Sequence, residues 1–143
     1  MGQQQLLLLV LSTVIVGLAT VAGIQAFDEG QTQAKQDALT QRALQIGNDV
    51  YAATQKPSQL GGVSTSDGAS AISAAAGYDG DTDGISAKGA GSDADCAITS
   101  TDPVKIVCSS DGANSSSSSN EAVTVTVNDA VNVTSINGTS VTQ

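Results

Sequence analysis

The sequence predicts an α+β protein in which a long N-terminal α-helix is followed by a small β-rich, loop-rich head with one disulfide. Three observations support this prediction. An apolar run from Leu6 to Phe27 contains no charge and no proline. No proline occurs before Pro57, so the helix can continue beyond the apolar run. The later chain contains short β-prone segments separated by Gly, Ser and Asn, and it holds the only two cysteines, Cys96 and Cys108.

The first of three predicted regions, residues 1–27, is a hydrophobic helix. At about 1.5 Å per residue the apolar run spans roughly 33 Å, which is enough to cross a bilayer. A secretory signal peptide has a basic start and a shorter apolar core, whereas no Lys or Arg precedes this run. We therefore expect the segment to be retained, either as a single-pass membrane anchor or as a helix that packs against copies of itself. Asp28 and Glu29 follow directly, which favours a non-cytoplasmic position for the rest of the chain.

The second region, residues 28–56, is predicted to extend this helix in amphipathic form. Five of its apolar residues follow each other at spacings of 4, 3, 4 and 3, which places them on one helix face. They are Leu39, Ala43, Ile46, Val50 and Ala53. No Asp or Glu is paired with Lys or Arg at i,i+4, so the helix gains little local stabilisation. The face is expected to pack on the chain's own head, and if the helix also packs against copies of itself, those copies would lie on its other side.

The third region, residues 57–143, is predicted to be an acidic β-rich head. Cys96 and Cys108 flank two β-prone segments, residues 97–100 and 104–107, around a turn at Thr101-Asp102-Pro103. Pairing about this turn places the two cysteines opposite each other, so a structural disulfide is expected. Closing a loop of this size contributes on the order of 3 kcal/mol.

Further β-structure is predicted near the C-terminus. Ala122–Val127 and Val131–Ile136 are β-prone, and Asn137-Gly138 is a hairpin signal leading to a strand over Thr139–Thr142. These segments predict a meander whose Thr- and Asn-rich face is exposed. Residues 61–95 are rich in Gly, Ala, Ser and Asp and predict a long loop with short ordered pieces such as Ala69–Ala76.

Composition excludes several functions. The net charge is −9, and residues 57–143 carry ten acidic against two basic side chains. Such a head repels nucleic acid, so no nucleic-acid partner is expected. There is no histidine, and neither a G-x-S-x-G nor a phosphate-loop motif occurs. We therefore do not expect an enzyme, and no cofactor is required.

Two patterns indicate possible chemistry in the head. Asp79, Asp81 and Asp83 form a D-x-D-x-D-G run, whose alternate carboxylates on a tight loop suit Ca²⁺. Ala90 occupies the loop position where a helix–loop–helix site needs Glu, so the other interpretation is a solvated acidic loop. Asn114, Asn132 and Asn137 each begin an Asn-x-Ser/Thr pattern and are candidate glycosylation sites.

The overall arrangement resembles the type IV pilin and pseudopilin superfamily. The shared features are the near-terminal apolar stretch, the amphipathic extension and the small head with a late cysteine pair. In that family a leader is cut after a glycine, the first mature residue is methylated, and position 5 is usually Glu. Here either Met1 is the mature first residue, with Gln5 in the Glu position, or Gly2 ends the leader and Gln3 begins the mature chain. Met1 and Gln5 are accordingly the candidate N-terminal assembly contact.

The resemblance implies a structural subunit of an extracellular type IV pilus-like filament, located at the cell surface. Its implied partners are copies of itself, the inner membrane before assembly, and the pilus assembly machinery. The alternative is a single-pass membrane-anchored surface protein or a minor pseudopilin of a secretion system. Electron microscopy of sheared surface material is the observation that separates these alternatives.

Overall fold

A computed structural model describes residues 2–79, 82–110, 112 and 122–141. The chain divides into two compact units, Met1–Gln33 and Ala34–Gln143. Helix α1, Gly2–Gln55, contributes to both units. It ends just before Pro57, whose ring and missing N–H make it a poor helix residue, so the predicted long helix is confirmed.

Between α1 and the sheet, the chain forms three short helical pieces. Two 3₁₀ turns lie at Ser58–Leu60 and Thr65–Asp67, and helix α2 covers Ala69–Ala75. Ser64 and Asp67 form a capping box, in which the Ser64 backbone N–H donates to Asp67 Oδ2 at 2.7 Å.

The head contains one six-stranded antiparallel sheet whose strands are neighbours in sequence order. The strands are β1 Ile85–Ser86, β2 Asp95–Thr101, β3 Val104–Ser109, β4 Ala122–Val127, β5 Val131–Ile136 and β6 Thr139–Ser140. The mixed α+β class and the meander are therefore confirmed. The long central strands lie between β1 and β6, which have only two residues each.

The β2–β3 hairpin has the predicted register. Cys96 lies opposite Cys108, and Ile98 lies opposite Ile106, with a bulge after Ile98. The two cysteines form a disulfide and are fully buried. The bond therefore joins two central strands from inside the core.

The core of the second unit lies between one face of the sheet and the C-terminal half of α1. Buried residues on α1 join Ile72 of α2 and the apolar residues on one face of β2, β3 and β4 in one cluster. Ala87, Ala90 and Ala94, in the chain between β1 and β2, complete it. Small residues in this loop let it lie close to the helix.

The structure differs from the sequence-based prediction at three places. Strand β1 lies inside the segment predicted as a loop. Strand β6 ends at Ser140, whereas a strand to Thr142 was predicted, and Thr142 lies outside the described residues. Thr124 is only 3% exposed, so the expected exposure of the Thr-rich face is wrong there. Thr124 is flanked on both sides by its register partners, Val107 of β3 and Ser135 of β5.

Candidate assembly interface

The first unit presents its apolar side chains on the surface. All thirteen large apolar residues from Leu6 to Phe27 are exposed within the chain, from 52% at Val14 to 73% at Phe27. They lie all around the helix, so the segment has no polar face like that of an ordinary surface helix. Apolar surface of this extent needs lipid or protein to cover it.

Helix α1 is the only described helix long and apolar enough to cross a membrane, judged by length and composition. The most apolar 18-residue stretch of α1 lies near the N-terminus and has a mean hydropathy of 2.5. Thr13 and Thr20 fall inside it, and each hydroxyl donates to a backbone carbonyl one turn earlier, at 2.9 Å and 2.8 Å. These bonds satisfy the two hydroxyl groups within the helix, which lowers the cost of placing them in an apolar surrounding.

In the second unit, by contrast, one face of helix α1 is buried. All five residues of the predicted packing face, Leu39, Ala43, Ile46, Val50 and Ala53, are at most 1% exposed. Leu39, Ala43, Ile46 and Val50 belong to the core cluster with the sheet. This face is therefore occupied by the chain's own head.

Gly47 lets the helix approach the sheet closely. A Cβ added at Gly47 would lie 2.8 Å from Val131 Cγ1 and 3.2 Å from Val125 Cγ1. Neither distance leaves room for a methyl group without movement of a valine. The sequence pattern did not include Gly47 in the packing face, because glycine has no apolar side chain to count.

A polar clamp joins α1 to the chain that follows α2. We use this name for Arg42, Asp49, Tyr78 and Ser86. The Tyr78 hydroxyl donates to Asp49 Oδ2 at 2.6 Å, and the Arg42 guanidinium lies 5.6 Å from the centre of the Tyr78 ring. Arg42 Nε also donates to the backbone carbonyl of Ser86 at 3.1 Å. Arg42 and Asp49 are two helical turns apart, on the same side of α1.

The clamp changes the acidity of Tyr78. Burial raises its pKa to about 12, and the hydrogen bond and negative charge of Asp49 act in the same direction. The positive charge of Arg42 opposes this increase. At neutral pH the phenol is therefore firmly protonated and serves as the donor to Asp49.

The opposite side of this half of α1 is exposed and uncharged. We call it the outer stripe; its residues recur at spacings of 4, 3, 4 and 3 and are Gln41, Gln45, Asn48, Ala52 and Gln55. Arg42 and Asp49 are the only charged residues between positions 38 and 55, and both belong to the clamp. The outer stripe therefore has no charged side chain of its own, and Gln45 Oε1 accepts a hydrogen bond from Arg42 Nη1 at 3.0 Å.

The predicted N-terminal contact is only partly described. Gln5 lies in the first turns of α1 and is exposed, while Met1 lies outside the described residues. The α1 helix has no acidic residue in its first turn. An uncharged amide at Gln5 can accept a hydrogen bond from an amine but cannot neutralise its charge.

The predicted calcium run lies between α2 and β1. Asp79 has a positive φ of 60°, and both Asp79 and Asp83 are exposed, while Asp81 lies outside the described residues. Ala90 is a buried core residue and has no ligand oxygen in its side chain. Within the described parts of the chain, no group of three His, Cys, Asp or Glu side chains is placed to hold a metal ion. Calcium binding stays a prediction.

The three glycosylation patterns fall in different places. Asn132 lies within β5, Asn137 lies in the turn between β5 and β6, and Asn114 lies outside the described residues.

Comparisons of this chain with protein families, with curated proteins and with solved structures find no match. Functional inference therefore depends on the geometry of the chain itself.

Proposed function

We propose that this protein is the structural subunit of an extracellular, type IV pilus-like filament. Before assembly its first helix lies in the membrane, and in the filament the same helices of many copies pack together. The observation that carries the proposal is the exposure of thirteen large apolar side chains on one helical segment. The role is structural rather than enzymatic, and the filament lies at the cell surface.

Burial of the apolar segment, residues 6–27, favours its transfer from water into lipid or into a packed filament. At roughly 1.5–3 kcal/mol for each large apolar side chain, burial of this segment yields tens of kcal/mol in gross terms. Lipid already provides most of this gain, so the net preference for a filament must come from the shape of the packed helices. Ala19 and Gly23 form a small-x-x-x-small pattern that permits close approach of two helices.

The charge distribution supports self-association along the helix. Copies of a chain with net charge −9 repel each other, and eight of those net negative charges come from residues 57–143. The apolar segment and the outer stripe carry no charge. A second copy can therefore approach at the helix with the least repulsion, while the acidic heads stay apart.

The alternative is a single-pass anchor or a minor pseudopilin, which the same apolar segment would suit. The filament subunit and the membrane anchor differ in whether they need the small-residue pattern at Ala19 and Gly23. A filament requires close helix packing, whereas an anchor requires only hydropathy. A substitution that does not lower hydropathy but removes the close approach therefore separates them.

Gly23→Leu is such a substitution, because a Cβ at Gly23 meets nothing within 4 Å beyond its chain neighbours and the adjacent helix backbone. Val21→Phe is the matched control, since it adds bulk on the opposite side of the same turn. Surface material sheared from cells producing each variant is examined by electron microscopy and mass spectrometry.

We expect filaments composed mainly of this protein in the unmodified strain and in Val21→Phe. Gly23→Leu should abolish them while the protein remains in the membrane fraction. If the unmodified chain yields only a detergent-soluble monomer, the anchor is the better description. Filaments of normal abundance in Gly23→Leu would exclude this helix face as the contact.

A further inference from the structure

Two Asn-x-Thr patterns lie only five positions apart, yet the fold presents them very differently. Asn132-Val133-Thr134 is part of strand β5, and Asn137-Gly138-Thr139 forms the turn into β6. Both share the acceptor pattern for N-linked sugar. Any difference between them as acceptors must therefore come from the fold.

Asn137 occupies the tip of the β5–β6 hairpin. Asn137 and Gly138 both have positive φ, 53° and 71°, as a tight two-residue hairpin turn requires. Asn137, Gly138 and Thr139 are all exposed. The acceptor amide and the Thr hydroxyl of this pattern are thus both on the surface.

Little structure must open to free this turn. Strand β6 pairs with β5 through only two residue pairs, Ser135 with Ser140 and Ile136 with Thr139. Two further backbone hydrogen bonds hold this hairpin: Asn137 N–H donates to the carbonyl of Ala122 at 2.8 Å, and Val141 N–H donates to the carbonyl of Thr134 at 2.9 Å. Short, exposed pairing of this kind opens locally at a small fraction of the global unfolding free energy.

Asn132 is half-buried and is held by the pairing of β5 with β4. It lies opposite Thr126 of β4, between residue pairs Val125–Val133 and Val127–Val131. Val131 and Val133 pack against the hydrophobic core. Freeing Asn132 for a transferase would break the β4–β5 ladder and expose both valines.

We infer that Asn137 is a site of N-glycosylation and that Asn132 is not modified in the folded protein. The co-substrate is a lipid-linked oligosaccharide carrying a pyrophosphate leaving group. The Asn137 amide nitrogen forms a bond to the anomeric carbon of the first sugar, and the bond from that carbon to the pyrophosphate breaks. The lipid pyrophosphate leaves with the electron pair, and the amide loses one proton. The inference goes beyond the proposed filament role and can be tested without assembly.

The test uses the full-length chain in detergent, with Asn114→Gln so that only the two described patterns compete. The protein is incubated with a purified single-subunit oligosaccharyltransferase that accepts Asn-x-Thr without further sequence requirement, together with its lipid-linked oligosaccharide. Glycan positions are mapped by fragmentation mass spectrometry. A synthetic peptide of residues 128–141, which carries both patterns without the fold, is the matched control.

In the folded protein we expect Asn137 to be modified faster than Asn132 by roughly tenfold or more, and in the peptide we expect similar rates. Asn137→Gln should remove the modification of the folded protein, and Asn132→Gln should leave it intact. Equal rates at both sites in the folded protein would overturn the inference. So would an unmodified Asn137 in the folded protein, whatever the peptide shows.

Discussion

The two halves of helix α1 use apolar residues for opposite purposes. In residues 34–55 a single helix face is buried in the chain's own head, and its apolar side chains are Leu39, Ala43, Ile46, Val50 and Ala53. In residues 6–27 they lie all around the helix and remain exposed within the chain. The comparison teaches that one continuous helix can hold a folded head with one half and offer the other half to lipid or to further copies.

The largest expected effect comes from one substitution made in each half. Ile46 is fully buried and Ile15 is 58% exposed. Ile46→Ala should lower the free energy of unfolding of the head by about 2–5 kcal/mol, because it removes core contacts and leaves a cavity. Ile15→Ala should leave head stability unchanged within about 0.5 kcal/mol. Urea unfolding of the full-length protein in detergent, followed by circular dichroism of the sheet, measures both.

Equal losses in the two Ile variants would mean that both halves of α1 unfold as one cooperative unit. That result would break the comparison, since it would make the apolar half part of the head's stability.

A smaller effect is expected from alanine at two helical glycines. Alanine favours the helix over glycine by about 1 kcal/mol, but Gly47→Ala also forces a methyl group against Val131 and Val125. Because β-branched valines have few rotamers, we expect a net loss of about 1 kcal/mol in head stability. Gly30→Ala is the matched control, because nothing lies within 4 Å of its added Cβ. It should raise helix content without lowering the unfolding midpoint.

A stabilising Gly47→Ala would show that half-buried Val131 moves aside at low cost. The close approach of helix and sheet at this point would then not restrict the residue choice.

The smallest effect concerns the clamp at high pH. The folded-state pKa of Tyr78, about 12, lies above the ordinary value of 10.0, so the folded state favours the neutral phenol. This contribution is fully present below about pH 10 and is lost as the pH rises towards 12. Stability should therefore decline over this interval, and less steeply in Tyr78→Phe. Unfolding midpoints measured across the interval, with tyrosinate absorbance recorded in parallel, provide the test.

In Asp49→Asn the pKa of Tyr78 should fall, because the negative charge that opposes ionisation is gone. An unchanged titration in this variant would contradict the role assigned to the hydrogen bond between Tyr78 and Asp49.

Most of the fold could be predicted from local patterns. The end of α1 before Pro57, the buried face from Leu39 to Ala53, and the strands around the Asn137-Gly138 turn all follow from residue periodicity and turn chemistry. The opposition of Cys96 and Cys108 follows from hairpin register alone. Each of these features depends on residues close together in the chain, where spacing directly sets which side chains share a face.

By itself, then, the sequence determined the long helix with its two apolar patterns, the main strands and the disulfide. Only the tertiary structure decided that Arg42 and Asp49 meet Tyr78, that Gly47 faces valines of β4 and β5, and that Thr124 is buried. The tertiary structure also showed that Asn137 is exposed in a turn, whereas Asn132 is paired with β4. The physical reason is that these contacts join residues far apart in the chain. Their formation depends on how the helix, the loop and the sheet pack together, which no local spacing encodes.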